Sequence, residues 1–520
     1  MKQYYFPPSG DCGAAFAARL AEMEPDSILN LQSGRYVFRK KDAAAFPFAV
    51  SNANADDGTL FERHAAVLLR GMRNIVIDGH GAEFWFEGDV SPIFLLNCES
   101  VVLRGFSVHF FCPRVSEMQL VRKEGCCAEF LASADSPFII RENRLFWLDP
   151  DGVPEAPETV IAQSASAEGL RNLRSNFNPV RAALSAERVG EREILLNFES
   201  PFPGMAGDVW QFRNPARNEV GILIDHCSDI MLESLTLRFT PGLGVIAQMS
   251  AGLEFRNLIH EPEPGRICAA FADCIHISSC RGRFELAESR FCGAQDDPLN
   301  IHGTYLKLER QEGPDIFLRF MQPETWGILP FEPDDRVALV DGHSLVRLEF
   351  RTVKAAELEG SHGVHLTLSE PFADLPEYAV IENMSAYPDA EIHDCRFAGY
   401  PTRGILLTSA GKCAIRRNTF IHASGSPVIY ISGDAGSWFE SGGVTDLEIS
   451  GNEFRGSGCS VIEIVPETAA GSSETVHRNI RIHGNRFPDC ASPFLRVRNT
   501  ENLLCDIPPA FISGSRGKLA

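Results

Sequence analysis

A short phrase recurs along this chain and limits what it can fold into: a strand of alternating β-branched and polar residues that closes on Asn, Gly or Ser and then Phe. It occurs at Asn74-Ile75-Val76-Ile77-Asp78-Gly79, Ser100-Val101-Val102-Leu103-Arg104-Gly105-Phe106, Asp229-Ile230-Met231-Leu232-Glu233 and Ala414-Ile415-Arg416-Arg417-Asn418-Thr419-Phe420. It returns at Leu447-Glu448-Ile449-Ser450-Gly451-Asn452-Glu453-Phe454 and Ile480-Arg481-Ile482-His483-Gly484-Asn485-Arg486-Phe487. Phe397, Phe420, Phe454 and Phe487 stand 23, 34 and 33 residues apart. Self-similarity at this period marks a solenoid rather than alternating strand and helix units. Strand patterns dominate, 43 Gly and 32 Pro punctuate them, and long amphipathic helical windows are scarce after Ala14 to Glu24. The pattern predicts an all-β chain wound as a parallel β-helix, its coils stacked at about 4.8 Å. Asn418, Asn452 and Asn485 hold one place in their repeats. We read them as turn formers in αL or Asx geometry, an inward hydrogen-bonded ladder being the alternative.

Two stretches break the repeat. Residues 112–218 carry acidic and Pro-rich loops such as Leu148-Asp149-Pro150-Asp151-Gly152-Val153-Pro154 between short strands such as Glu193-Ile194-Leu195-Leu196-Asn197-Phe198. Residues 304–385 alternate strictly, as in Tyr305-Leu306-Lys307-Leu308-Glu309-Arg310 and Arg347-Leu348-Glu349-Phe350-Arg351. Strict alternation belongs to half-buried antiparallel strands, so each break is expected to hold a small inserted β-barrel or sandwich module. The expected division is 1–111 for an N-terminal cap and first coils, 112–218 for one insert, 219–303 for central coils, 304–385 for a second insert and 386–520 for C-terminal coils. The helix from Ala14 to Glu24 would close the open end of the solenoid.

Lys and Arg number 48 against 69 Asp and Glu, a net charge of −21, which repels phosphate backbones and anionic lipids and argues against nucleic-acid or membrane partners. No run of about 18 apolar residues is long enough to cross a bilayer as a helix. The start, MKQYYFPPSGDCGAAFAARL, has no apolar stretch of about 7 to 15 residues behind a basic region, so a cytoplasmic location is expected. The 15 cysteines are scattered without a CxxC pair and read as buried small hydrophobes in a reducing compartment. The composition leaves a homo-oligomer open.

The densest chemical language runs from Phe271 to Tyr305, FADCIHISSCRGRFELAESRFCGAQDDPLNIHGTY. Asp273 and Asp297 lie 24 residues apart, about one coil, which would set them in vertical register on neighbouring rungs. Asp296 adjoins Asp297, and Pro298 suggests a bend from which both could project. Asn300 and His302 follow at two-residue spacing; His276 and His302, beside the acids, each read first as satisfied structural histidines. Clustered carboxylates push one pKa up and leave another group ionised, as glycoside hydrolysis requires of its acid and base. A second polar cluster, Ser432 to Gly442 preceded by Arg403, sets Trp438 beside Glu440, a pairing suited to a sugar's C–H face and hydroxyls. Gly433, Gly436, Gly442 and Gly443 around it would allow a ligand to approach closely. Two rivals stay open: a lyase with calcium on the Asp cluster, and a non-catalytic glycan-binding β-helix whose Asp pair is turn chemistry.

Asp296-Asp297-Pro298-Leu299-Asn300-Ile301-His302-Gly303-Thr304-Tyr305, with Asp273-Cys274-Ile275-His276, the stretch NIVIDGHG from Asn74 to Gly81, and Trp438-Phe439-Glu440-Ser441-Gly442, resembles family 110 glycoside hydrolases, the exo-acting α-1,3-galactosidases. The resemblance spans about Ser51 to Phe487 and is sharp from Asp273 to Tyr305. It implies a right-handed parallel β-helix with inserted β-barrel modules that hydrolyses terminal α-1,3-linked galactose from oligosaccharides, with inversion and without a cofactor or metal. The family's catalytic acids would fall on Asp273, Asp296 and Asp297. Asn300, His302, Arg403, Trp438 and Glu440 are the expected substrate-binding residues. Rungs about 4.8 Å apart are closer than the roughly 6.5 to 9.5 Å that inversion asks of its two carboxyl groups, so the side chains would have to lean apart.

Overall fold

The structure, a computed structural model, describes residues 1–166, 172–174 (backbone only), 177–421, 425–457, 459–491 and 493–514. The repeat folds as a parallel β-helix with three faces. Successive rungs of the first face include Ser228–Glu233, Ala251–Arg256, Arg281–Ala287, Asp389–His393, Lys412–Arg416, Asp446–Ser450 and His477–His483. The second face is shorter, with rungs such as Ile259–His260, Arg290–Cys292, Arg396–Ala398, Thr419–Ile421 and Glu453–Arg455. Both belong to one 19-stranded sheet. The third face runs through Ile222–Asp225, Val245–Gln248, Ile275–Ser278, Leu299–Thr304, Ile405–Thr408, Ile429–Ile431 and Ile462–Ile464 in a 13-stranded sheet.

Each face repeats its buried residues rung by rung. On the third face Ile222, Val245, Ile275, Leu299, Ile405, Ile429 and Ile462 are in register, an apolar column 0% exposed throughout. The recurrent Phe lies on or beside the second face: Phe291, Phe397, Phe420, Phe454 and Phe487 form a stack with ring centroids 4.9 to 5.3 Å apart. Between the first two faces the three asparagines form a ladder, contrary to the turn-forming reading. Asn452 Oδ1 accepts from the Asn418 backbone N–H at 2.9 Å and Asn485 Oδ1 from that of Asn452 at 2.9 Å, while Asn418 Oδ1 accepts from Cys395 N–H. The left-handed backbone belongs to the residue before each, Arg417, Gly451 and Gly484, which frees the Asn side chain to turn inward.

A short helix, Gly13–Ala21, packs Phe16 and Leu20 onto the first coils. The first insert holds a seven-stranded antiparallel sheet between Ser116 and Arg213 and a three-stranded sheet between Phe138 and Glu155, joined by a core of their own around Phe130, Trp147 and Trp210. The second is a closed six-stranded antiparallel barrel from Leu306 to Asn383. Coil length explains where function collects. Between the third face and the next first-face strand the chain needs only residues 409–411 in one coil, but it spends 432–445 and 465–476 in the two that follow and the whole barrel in the one before. The first insert enters at the opposite corner, between Phe110 and Ile222. Extra chain therefore walls the third face on both sides. Among the described residues no helix is long and apolar enough to cross a membrane.

Candidate active site

The register of the third face assembles the acids. Ile275, Leu299 and Ile405 are paired rung on rung, and two positions ahead of them stand Asp273, Asp297 and Arg403. Each carboxylate accepts the backbone N–H of the rung beyond it: Asp273 Oδ1 from Asp297 at 3.2 Å, Asp297 Oδ1 from Arg403 at 2.9 Å. The Arg403 guanidinium closes on Asp297 Oδ2 at 2.7 Å, and the Thr402 hydroxyl donates to Asp297 Oδ1. The outward column of the same strands, His276, Asn300, Leu406 and Tyr430, forms the floor. Glu440 arrives on the antiparallel pair Thr304 with Glu440 and Gly303 with Ser441, and its Oε1 accepts from Asn300 Nδ2 at 3.1 Å.

These groups surround a cavity of about 290 Å³, lined by Asp273, Asp296, Asp297, His276, Asn300, Arg403, Trp438 and Glu440, with Asn52, Arg217, Asp434 and Glu467 completing the wall. One carboxylate oxygen from each of Asp273, Asp296 and Asp297 lies within 4.8 Å of the others. Asp273 and Asp297 are buried and Asp296 is part-exposed. Asp434 accepts from the backbone N–H groups of Gly436, Ser437 and Trp438, pinning the loop so that the Trp438 ring stays 42% exposed at the mouth. Burial works to raise the Asp434 carboxyl, but the Ser437 hydroxyl and those backbone donors hold it below the ordinary Asp value. Gly442 serves packing rather than ligand approach: with φ +137°, a Cβ there would sit 2.0 Å from the Thr408 carbonyl oxygen.

Of the eight candidate catalytic and substrate-binding residues, only His302 does not line the cavity. The strand that carries it is roofed by Glu440–Ser441, so the ring lies behind His276 with the two Nε2 atoms 2.8 Å apart. His276, read as merely structural, lines the cavity and meets Asp273 Oδ2 through Nδ1 at 2.8 Å. His302 Nδ1 must donate to the Gly303 carbonyl at 2.7 Å, so three contacts, from that carbonyl to Asp273, need three protons. Two neutral imidazoles supply two. The third sits on the Asp273 carboxyl or makes a ring cationic. Burial and the neighbouring His302 drive the His276 pKa well below its ordinary value, whereas burial and the charge of Asp296 push Asp273 up to about 7. Below about pH 7 the proton therefore resides on Asp273 rather than on His276. Burial also pushes Asp297 up to about 7 against the pull of Arg403 and Thr402; above that pH it is ionised, and three donors, from Thr402 and from the backbone and side chain of Arg403, are in place to hold that form.

Asn300 Oδ1 and Arg403 Nε, both on cavity-lining side chains, have no hydrogen-bond partner among the described residues, which leaves an acceptor and a donor for sugar hydroxyls. The three acids could offer oxygens to a cation, but His276 engages Asp273 and Arg403 engages both oxygens of Asp297. That is a poor match to the 6 to 8 oxygens calcium takes. Asp434 lay inside the polar cluster visible in the sequence; Asn52 and Arg217 come from remote segments and carried no local signal.

A walled acidic cavity with an exposed Trp at its mouth, on one face of a β-helix, is suited to carbohydrate chemistry. A family model described as GLAA-B beta-barrel domain II matches residues 315–376, within the barrel. Alpha-1,3-galactosidase A of Bacteroides thetaiotaomicron is 32% identical over 87% of this chain and 80% of its own length. Alpha-1,3-galactosidase A of a Bacteroides fragilis strain is 29% identical over 92% of this chain and 80% of its own. A family 28 exopolygalacturonase of Yersinia enterocolitica matches 97% of this chain and 78% of its own with a TM-score of 0.39 and 10% identity. The chain belongs to the α-1,3-galactosidase family, the family 110 glycoside hydrolases.

Proposed function

We propose that the protein is an exo-glycosidase that removes terminal α-1,3-linked galactose from oligosaccharides. The observation that carries this reading is the set of three carboxylates with unlike environments, in a cavity whose unpaired polar atoms suit a hexose. Asp296 is the part-exposed acid, and it also lines the neighbouring cavity, so it stands where a leaving oxygen would emerge. We assign it the role of general acid. Asp297 is the base: Oδ1 already accepts twice, while Oδ2 accepts once from Arg403 and keeps a lone pair for a water proton. Asp273, hydrogen-bonded through His276 to His302, holds the third proton of that chain beside them.

Inversion is supported by the way Asp273 and Asp297 are tethered, which suits holding a water better than attacking a sugar carbon. One observation favours retention instead: the 4.8 Å grouping of carboxylate oxygens falls nearer the roughly 5 to 5.5 Å of retaining pairs. Nothing in the site or the relatives favours the calcium lyase or the non-catalytic module. Assays with nitrophenyl α- and β-glycosides and α-1,3-galactobiose test the reading. Release of galactose from the α-galactosides alone supports it, and turnover of β-glycosides or uronates in their place overturns it.

A further inference from the structure

A second cavity, about 490 Å³, opens beside the first and shares Arg217, Asp296 and Trp438 with it. No single module builds it. The first insert contributes the strand Ile161–Ala165 and the stretch from Arg213 to Arg217, the N-terminal coil contributes Asn54 and Asp56, and the barrel contributes Glu324. The parts are tied together: Arg217 Nη1 bonds the Asn52 carbonyl at 2.6 Å and Glu324 at 3.3 Å, and Asn54 Nδ2 bonds the Trp326 carbonyl at 2.7 Å. Gln163 Nε2 reaches the carbonyl of Gln295, next to Asp296, at 3.2 Å. Gln163 is only 4% exposed, yet its Oε1 has no donor among the described residues. A buried amide oxygen on a cavity-lining residue is costly unless a ligand satisfies it.

We propose that this cavity binds the part of the glycan from which galactose is cleaved, and that it selects a neutral oligosaccharide of two or more sugars over an anionic one. The proposal rests on the reading of the first cavity as the galactose site. The shared residues fix the direction, because a bond held at Asp296 has its galactose on one side and its leaving group on the other. The lining fixes the class. Asp56 and Glu324 equal Arg213 and Arg217 in number, Asp296 carries the acid's proton, and both guanidiniums are engaged, Arg217 by Glu324 and Arg213 by Gln295 at 2.7 Å while lying over Phe271. A uronate would face two carboxylates with no open cation to receive it, whereas hydroxyls find carboxylates and an amide, and sugar C–H faces find Trp438 and Ile161. The first insert is thereby a specificity module.

The test compares kcat/KM for α-1,3-galactosyl-lactose with that for 4-nitrophenyl α-galactoside, which has no sugar beyond the galactose. In Gln163→Ala, and in Ala216→Trp, which fills the cavity from a loop, the ratio of the two falls about tenfold or more. A ratio within about twofold of wild type in both variants overturns the proposal, whether the separate rates hold or fall together. Calorimetric titration with lactose and with digalacturonate adds a readout without turnover. Lactose binding to wild type that weakens about tenfold in Ala216→Trp supports the proposal. No lactose binding, or tighter binding of digalacturonate, overturns it. If lactose binds as described but no α-galactoside is hydrolysed, the galactosidase reading has failed and the cavity assignment has not.

Discussion

Asp273 and Asp297 hold equivalent places on adjacent rungs, yet their partners set them apart. A guanidinium faces one and a neutral imidazole the other. Asp297→Asn removes the ionised oxygen with little change of volume and leaves Thr402 and Arg403 in place, so kcat should fall by about 10² to 10⁴ with the fold retained. A purified, folded variant keeping more than about a tenth of wild-type turnover would contradict the assignment. Asp273 has a stability consequence. Its carboxyl holds a proton more tightly folded, at about 7, than at the ordinary 3.8, so the stability it adds is fully present below about pH 4 and is lost as pH rises through about 7. Asp273→Asn mimics the protonated form. Its melting temperature relative to wild type should therefore climb between about pH 4 and pH 7 and level off above, and a flat difference would show that Asp273 carries no such proton. At this scale the sequence disclosed the acids, because one coil of spacing dictates vertical register. It did not disclose the proton chain, which depends on Glu440–Ser441 returning antiparallel over His302 and so burying it behind His276.

The asparagine ladder and the loop over the cavity show two ways in which an element departs from what its residues suggest locally. An Asn between two strands reads as a turn former, but here the left-handed backbone falls one residue earlier, and only the stacking of coils reveals the inward amide. Asn452→Ala strands the Asn418 N–H and the Ile415 carbonyl in the interior and should cost about 3 kcal/mol in chemical denaturation, whereas a loss under about 0.5 kcal/mol would mean the ladder is ornamental. The loop 432–445 was legible as a ligand-facing element from Trp438 among glycines, although Gly442 is needed against Thr408 rather than for access. Trp438→Ala should raise KM with little change in kcat, since stacking on a sugar acts in ground and transition states alike. An unchanged KM with a sharply lower melting temperature would make the ring a packing residue.

At the scale of the molecule, the solenoid was legible because its period is written in Phe spacing, and the departures from that period marked where chain is diverted to build walls. Coils of 33 and 34 residues carry the loops over the third face, and the two inserts stand at its opposite corners. Which residues the inserts bring to the site was not legible. Arg217 closes the first insert and Asn52 lies in an N-terminal loop, and neither meets the acids until the third face has stacked between them.

The most direct test of the account follows α-1,3-galactobiose by proton NMR with wild-type enzyme, from the first minutes of reaction, before the free sugar mutarotates. The account predicts that galactose is released and appears first as the β-anomer, as a water held by Asp297 and a leaving oxygen protonated by Asp296 require. Galactose appearing first as the α-anomer would make one of the tethered acids a nucleophile and contradict the proposed roles, and no release at all would contradict the central claim.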